Sequence, residues 1–442
     1  MTECTTESLD FGRIGRRSIV ADFDGGKLTS DAGALLLQQV DQRLGLIDAI
    51  NDCIPDPRDP RYVIHQQRTM LGQRIIGIAQ GYEDLNDHQS MRKDAALQVA
   101  AGRQPESEQP LASPSTLCRL ENRVTRKTIV DLHRVMVDQF LDSYQQPPAE
   151  ITLDFDATDD PIHGDQEGRF FHGYYRHYCF LPLYVFCGEQ ILCSYLRPSK
   201  IDGAKHSRAI VKLLVEYIRQ RWPEVKIVIR GDGGFCRWKL MRWCDHHDVG
   251  YVFGMASNKR IAKHIAPLMT EAEVRFLWTG EKQRLFGETE YAAKSWDRSR
   301  RVVMKAERMA EGTNPRFIVT NLPDAPAELY DNNYVLRGEM ENRIKEQQLM
   351  LFADRTSCHD FLANQFRLML SSFAYVLTQG LRRVALVGTE MEKAQVSTIR
   401  TKILKVAARV RVSVRRVVFQ MASCFPHQAL FRVIHQAILK PG

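Results

Sequence analysis

Between residues 151 and 255, hydrophobic and polar positions alternate or run in short apolar blocks, the pattern of half-buried and fully buried strands. ITLDFDAT (151–158) alternates and ends in polar residues, as a strand running into a site does. YCFLPLYVF (178–186) and ILCSYLRP (191–198) are β-branched and aromatic, with a turn at Gly188-Glu189 between them. KIVIRGDGGF (226–235) is a short apolar strand entering a glycine turn, and YVFGM (251–255) is another strand. Residues 207–221 and 237–247 have helical spacing. The succession β-β-β-α-β-α-β describes an α/β fold, a mixed sheet with helices on its faces.

The flanks have a different texture. Residues 30–45 read as a helix with Ser30 as cap and Leu35, Leu36, Val40 and Leu44 on one face. IPDPRDPR (54–61) breaks the pattern, two or three helices follow up to Val99, and a polar linker occupies 102–114. Pro114 opens a short helix and another starts near Thr125; the pair is either a small helix-turn-helix or two helices of a bundle. Residues 259–315 are charged and irregular, with strand-like pieces VRFLWTG and ETEYAAKSW. RFIVTNL (316–322) resumes a strand, Tyr330 to about Phe352 is helical, and a second long helix runs from about Cys358 to Val387. The expected regions are therefore 1–148, mainly helical; 149–258, the first part of a core; 259–315, an insertion; 316–390, the rest of the core; and 391–442, a basic C-terminal region.

Composition narrows the class. The 442 residues are 44% hydrophobic and 26% charged, ordinary for a globular chain with a real core. Leu368–Leu377, the most apolar helical stretch, is about half of what a bilayer needs. The first residues lack a basic region followed by an apolar run, so the expected location is cytoplasmic, with no membrane partner. Ten cysteines occur without a C-x-x-C pair and read as reduced core residues. The net charge of +8 is concentrated: residues 381–442 hold twelve Lys/Arg against two Glu. Arg400, Lys402, Lys405, Arg409, Arg411, Arg415 and Arg416, interleaved with apolar residues, read either as a folded DNA-binding element or as a solvated face. Arg74, Arg92, Lys93, Arg119, Arg123 and Arg126 are further candidates for DNA contact.

Two acids lie where strands end, Asp156 in D-A-T and Asp232 in G-D-G-G-F, and such ends are where side chains escape a packed sheet. Each alone is equally a turn former. Asp154 competes with Asp156, because the two share a strand face. In NNYVLRGEMENRIKEQQ, Tyr334, Arg337, Glu341 and Lys345 lie within roughly 80° of one another on a helix. Arg337 and Glu341 also suit an i,i+4 ion pair on a solvated helix. His163, His172, His177 and Cys179 match no zinc spacing.

Together these stretches resemble the DDE transposases of bacterial insertion sequences, and within them the insertion-sequence-1380 family. The resemblance covers nearly the whole chain and is densest in LDFDATDDPIHGDQEGRFFHGYY (153–175), IRGDGGFC (229–236), YVFGMASN (251–258) and YVLRGEMENRIKE (334–346). It implies a ribonuclease-H-like catalytic core with a mostly β insertion before the third acid, flanked by α-helical N- and C-terminal regions. It also implies a transposase that binds the terminal inverted repeats of its element, hydrolyses phosphodiester bonds there and transfers the 3′-hydroxyl ends to target DNA. Asp156, Asp232 and Glu341 become the catalytic residues and the ligands of two Mg²⁺ ions, replaceable by Mn²⁺. Hard cations select carboxylate oxygens, and two of them can stabilise both the attacking and the leaving oxygen. Tyr334 and Arg337 are expected to hold phosphates or flanking DNA. The pattern's final Lys is replaced by Gln348, with Lys345, one turn earlier, the candidate substitute. The implied partners are double-stranded DNA and a second copy or more of the chain.

Overall fold

The computed structural model describes residues 8–105 and 109–440, which form two compact units. One comprises Asp48–Pro55 and Arg119–Gln379; the other comprises the chain up to Ile47, Asp56–Cys118 and everything from Gly380 on.

The first unit is built on the alternating segment β1 (Glu150–Ala157), the centre of a large sheet. Its neighbours are β2 (Leu183–Cys187), antiparallel, and beyond it β3 (Gln190–Tyr195), joined by a tight turn in which Gly188 takes the positive φ such hairpins need. On the other side β4 (Lys226–Gly231) and β5 (Gly250–Met255) run parallel to β1. The order 3-2-1-4-5, with only the second strand reversed, is the ribonuclease-H-like core that the sequence led us to expect. The sheet continues through antiparallel strands from later in the chain: β6 (Gln283–Tyr291), β7 (Arg300–Met309) and β8 (Arg316–Thr320), in the order β5-β8-β7-β6.

Alternation sorts the two faces. Leu153, Phe155, Ile227, Ile229, Tyr251 and Phe253 point into the main core. That core is closed by α1 (Arg126–Leu141), α2 (Ser207–Arg221) and α3 (Trp238–His246), which contribute Phe140, Val211, Leu214, Leu240 and Met241. The helix α1, considered for DNA reading, thus spends its apolar face on the sheet, and its His133 ring meets the Ser194 carbonyl at 3.2 Å. Val228, Val252 and Ile318 point to the opposite face, where Leu329 and Tyr330 cover them.

Two local expectations are corrected. Residues 259–279 form a single helix, α4 (Lys259–Thr279), so VRFLWTG is helical and the insertion is only partly β. The Asn258 side chain caps α4 by accepting from the backbone of Arg260 and Ile261, and Ile261, Ile265 and Ala272 bury a stripe at helical spacing. Pro267 inside the helix and the dense charge obscured that period. YCFLPLYVF is two strands rather than one. It breaks at Leu181-Pro182, and His177–Phe180 pairs instead with Asp160–Pro161 and Phe170–His172 in a small separate sheet.

In the second unit, the helices Ala34–Leu44, Gln67–Gln80 and Ala95–Ala100 pack on one another, the first of them also against the C-terminal helix Gln428–Leu439, and the hairpin Ala408–Ser413/Arg416–Met421 pairs its first strand with Leu28–Thr29. Residues expected to form separate N- and C-terminal regions therefore share one body. Two of its arginines and one lysine serve that packing. Arg74 is fully buried against the His88 ring at 3.1 Å, and Arg400 donates to the Ala79 carbonyl at 2.9 Å. Lys405 reaches Asp31 at 2.6 Å and the Tyr82 hydroxyl at 2.9 Å. Lys402, Arg409, Arg411, Arg415 and Arg416 remain exposed. Cys179, Cys187, Cys193 and Cys244 are buried, whereas Cys118 and Cys424 are exposed, so not all the cysteines belong to a core; Cys4 lies outside the described residues. Among the described residues no helix is long and apolar enough to cross a membrane.

Candidate active site

Asp156 and Asp232 end adjacent parallel strands. Gly231 is the register partner of Phe155, so each acid comes one residue after that pair, Asp156 as the last residue but one of its strand and Asp232 just past the end of its own, with their backbones about 5 Å apart. Both side chains are half-buried. Each also shapes its own turn: Asp156 Oδ1 accepts from the Ala157 amide and Asp232 Oδ1 from the Gly234 amide, both at 2.8 Å. The turn-former and site roles of these residues are therefore not exclusive, since one lone pair serves the backbone while other oxygen capacity stays free.

The electrostatics bind the group together. Burial first, and then the neighbouring charge of Asp232, push the Asp156 carboxyl up to about 6, with Glu341 adding in the same sense and Arg337 opposing. Arg337 loses solvent but remains more firmly protonated than usual, held by Tyr334, Asp156, Glu341 and Asp232. The residues from two strand ends and one later helix thus share one field.

The third acid stands on α5 (Gly338–Lys345), inside a helical stretch that starts at Pro326, widens into a π turn over Leu329–Tyr334 and widens again over Glu346–Met350. Such widened turns change side-chain direction and recur at functional sites. Tyr334 enters the fold under the glycine turn: a Cβ on Gly254 would lie 2.5 Å from its hydroxyl oxygen and 3.0 Å from the Gly233 nitrogen. Only glycine permits this approach. Arg337 sits 3.3 Å from Glu341, and its buried Nε has no acceptor among the described residues. Glu341 and Lys345 are exposed.

The far end of the stretch is pinned by buried polar links. Gln347 donates to Ser372 at 2.6 Å, and Ser372 donates to Ser194 on β3 at 2.8 Å; Ser372 belongs to α6 (Phe361–Leu381). Gln348, where the family pattern has Lys, donates to the Asp159 carbonyl and, at 2.8 Å, to Asp160. Asp160 is fully buried, which raises its carboxyl far above the usual range. Gln348 therefore ties the Glu341 helix to the segment immediately after Asp156.

Asp154, the competitor for the first position, is occupied. It receives Arg230 in a two-pronged pair at 2.5 and 2.7 Å, buried on both sides, and Arg230 also donates to the Asn333 carbonyl at 2.5 Å. Sequence reasoning missed this residue, although the signal was present. Arg230 precedes Asp232 by two, as Asp154 precedes Asp156, and the two are register partners. An arginine on that buried face needs a carboxylate opposite it. His177, weighed in the sequence only for zinc, pairs with Asp159 at 2.7 Å.

The donor chemistry fits a hard divalent cation, since three carboxylates share a field and one of them, Asp156, is raised by burial and then by repulsion from its neighbours. As they stand, no three His, Cys, Asp or Glu side chains among the described residues close on a single point. Glu341 leans on Arg337 instead.

The family model described as transposase DDE domain group 1 matches residues 11–441. Among curated proteins nothing matches. One similar solved structure is a piggyBac transposase synaptic complex with hairpin DNA, at 11% identity, with 85% of this chain and 80% of that one covered and a TM-score of 0.45. With strand-end acids, a helix-borne glutamate and a family match over nearly its whole length, the chain belongs to the transposase DDE domain family.

Proposed function

We propose that this chain is an active transposase of the insertion-sequence-1380 kind, cutting DNA at the terminal inverted repeats of its element and joining the freed ends to target DNA. The observation that carries the reading is the shared field of Asp156, Asp232, Glu341 and Arg337 at the carboxyl ends of two parallel strands. In cleavage, a water oxygen bonds to phosphorus and the bond from phosphorus to the 3′-oxygen breaks, leaving a 3′-hydroxyl. In transfer, that hydroxyl oxygen bonds to a target phosphorus and displaces a strand end. Asp156, Asp232 and Glu341 would hold two Mg²⁺ ions, or Mn²⁺ in their place, which neutralise charge on the attacking and leaving oxygens.

The chain's own residues orient the substrate. Arg337, with one buried nitrogen lacking an acceptor, is suited to a phosphate oxygen. Tyr334 acts by holding the glycine turn that carries Asp232, and Lys345 remains on the exposed side as a further phosphate contact. Exposed Lys402, Arg409, Arg411, Arg415 and Arg416 are assigned to DNA; Arg400 and Lys405 are assigned to the body that presents them. Pairing two DNA ends calls for a homodimer or larger assembly.

The test uses purified protein, Mg²⁺ and duplexes carrying the element ends. Asp156→Asn, Asp232→Asn and Glu341→Gln should each lower strand cleavage by at least a hundredfold while repeat binding persists. Cleavage at the wild-type rate by any one of them removes that residue from the site.

A further inference from the structure

The helix α3 leaves the Asp232 turn directly and carries a second feature that the catalytic reading does not use. Lys239, Arg242 and His246 recur along one side of it, and Arg208 from the first turn of α2 joins them, around a shallow cleft of about 260 Å³. The floor is aromatic: Trp238 and Trp243 are half-buried, Lys239 lies 5.5 Å over the Trp238 ring, and Trp243 stacks on His247 at 4.2 Å. No carboxylate lines the cleft. The nearby acids are engaged elsewhere: Asp297, whose charge Arg242 feels, is held by Arg300 at 2.9 Å. Asp245, on the same helix, is held by Arg298 at 2.7 Å and Arg300 at 3.2 Å, and Asp202 is held by Arg237 at 2.7 Å.

Cations gathered on one face repel each other unless an anion lies between them, and other surface arginines of this unit, such as Arg221, Arg275 and Arg284, have a carboxylate partner. The cleft is open rather than enclosed, and its cations extend along the helix for roughly 10 Å. Duplex DNA carries one charge per about 1.7 Å of axis, so a face of that length meets several phosphates. We propose that Arg208, Lys239 and Arg242 form a phosphate-backbone contact for duplex DNA, laid across α3 on its way to Asp232. The proposal rests on the transposase reading above and assigns a surface which that reading leaves idle. Phosphate contacts carry no sequence information, so the grip is the same on element ends and on unrelated duplex.

The experiment is a salt titration of DNA affinity with the full chain, by fluorescence anisotropy, on one duplex bearing the terminal repeat and one unrelated duplex. The triple variant Arg208→Glu, Lys239→Glu, Arg242→Glu should flatten the slope of log K against log salt by about 2.7 for both duplexes, at about 0.9 for each phosphate held. A second triple variant with Gln at the three positions should flatten it equally and guards against misfolding of the first. An unchanged slope in the Gln variant overturns the proposal, and so does an effect confined to repeat DNA. A wild-type chain that binds neither duplex overturns the transposase reading itself, whereas wild-type binding with an unaltered variant slope overturns only this contact.

Discussion

Asp156 is a carboxylate kept where its charge is unwelcome. Its pKa of about 6 lies well above the roughly 3.9 of an unfolded aspartate. Folding therefore takes up a proton between about pH 4 and pH 6. Stability linked to this group is intact below pH 4, falls as pH rises through 6, and above that is lower by about 2–3 kcal/mol. Asparagine has no such charge. In metal-free buffer with a chelator, Asp156→Asn should be more stable than wild type by that amount at pH 7.5, with the gap closing toward pH 4, in denaturant titrations. Equal stability at pH 7.5 would mean that neither burial nor the neighbouring carboxylates disfavour the Asp156 charge. A divalent cation would offset both the burial of that charge and the repulsion from Asp232, so stability is held low at the place where binding can restore it.

At the scale of elements, two strands and one helical stretch must keep a fixed mutual position for the acids to act together. Three buried links do this: Arg230 from Asp154 to the Asn333 carbonyl, Gln347 through Ser372 to Ser194, and Gln348 to Asp160. The first is ionic and almost without solvent, so removing one partner strands a charge. Asp154→Ala should destabilise the protein by about 3–5 kcal/mol, measured by urea unfolding; a drop below 1 kcal/mol would show that the pair is not a joint of the fold. The helical stretch was legible in the sequence as a period, but its π turns were not. Periodicity counts residues at about 100° each, and a widened turn appears only when packing against β1 and β5 demands it. The helix α4 was hidden for the opposite reason. Pro267 and exposed charge masked a narrow buried stripe that the sheet underneath makes sufficient.

At the scale of the whole molecule, a net charge of +8 is used in two ways. Some cations of the C-terminal segment stabilise the body built from both ends of the chain, as Arg400 and Lys405 do. Others stand on the hairpin Ala408–Met421, where alternation sends Arg409 and Arg411 outward while Ala408 and Val410 turn in. Replacing Arg409, Arg411, Arg415 and Arg416 by Ala should flatten the salt dependence of DNA binding by about 0.9 for every phosphate these side chains neutralise. An unaltered slope returns the hairpin to a solvated surface.

The sequence by itself determined the strands that end in Asp156 and Asp232, the helix that carries Glu341, the order of the core elements along the chain and the likeness to DDE transposases. All of these depend on neighbours within a few positions or on local motifs. Only the tertiary structure decided which aspartate of D-F-D is free, because the answer lies with Arg230 across the sheet, 76 positions away in sequence. It also decided which basic residues are available to DNA, since Arg400 and Lys405 find their partners more than three hundred residues earlier. Pairing at such separations is set by register and packing. The residue types at each position allow many partners, and the fold selects one.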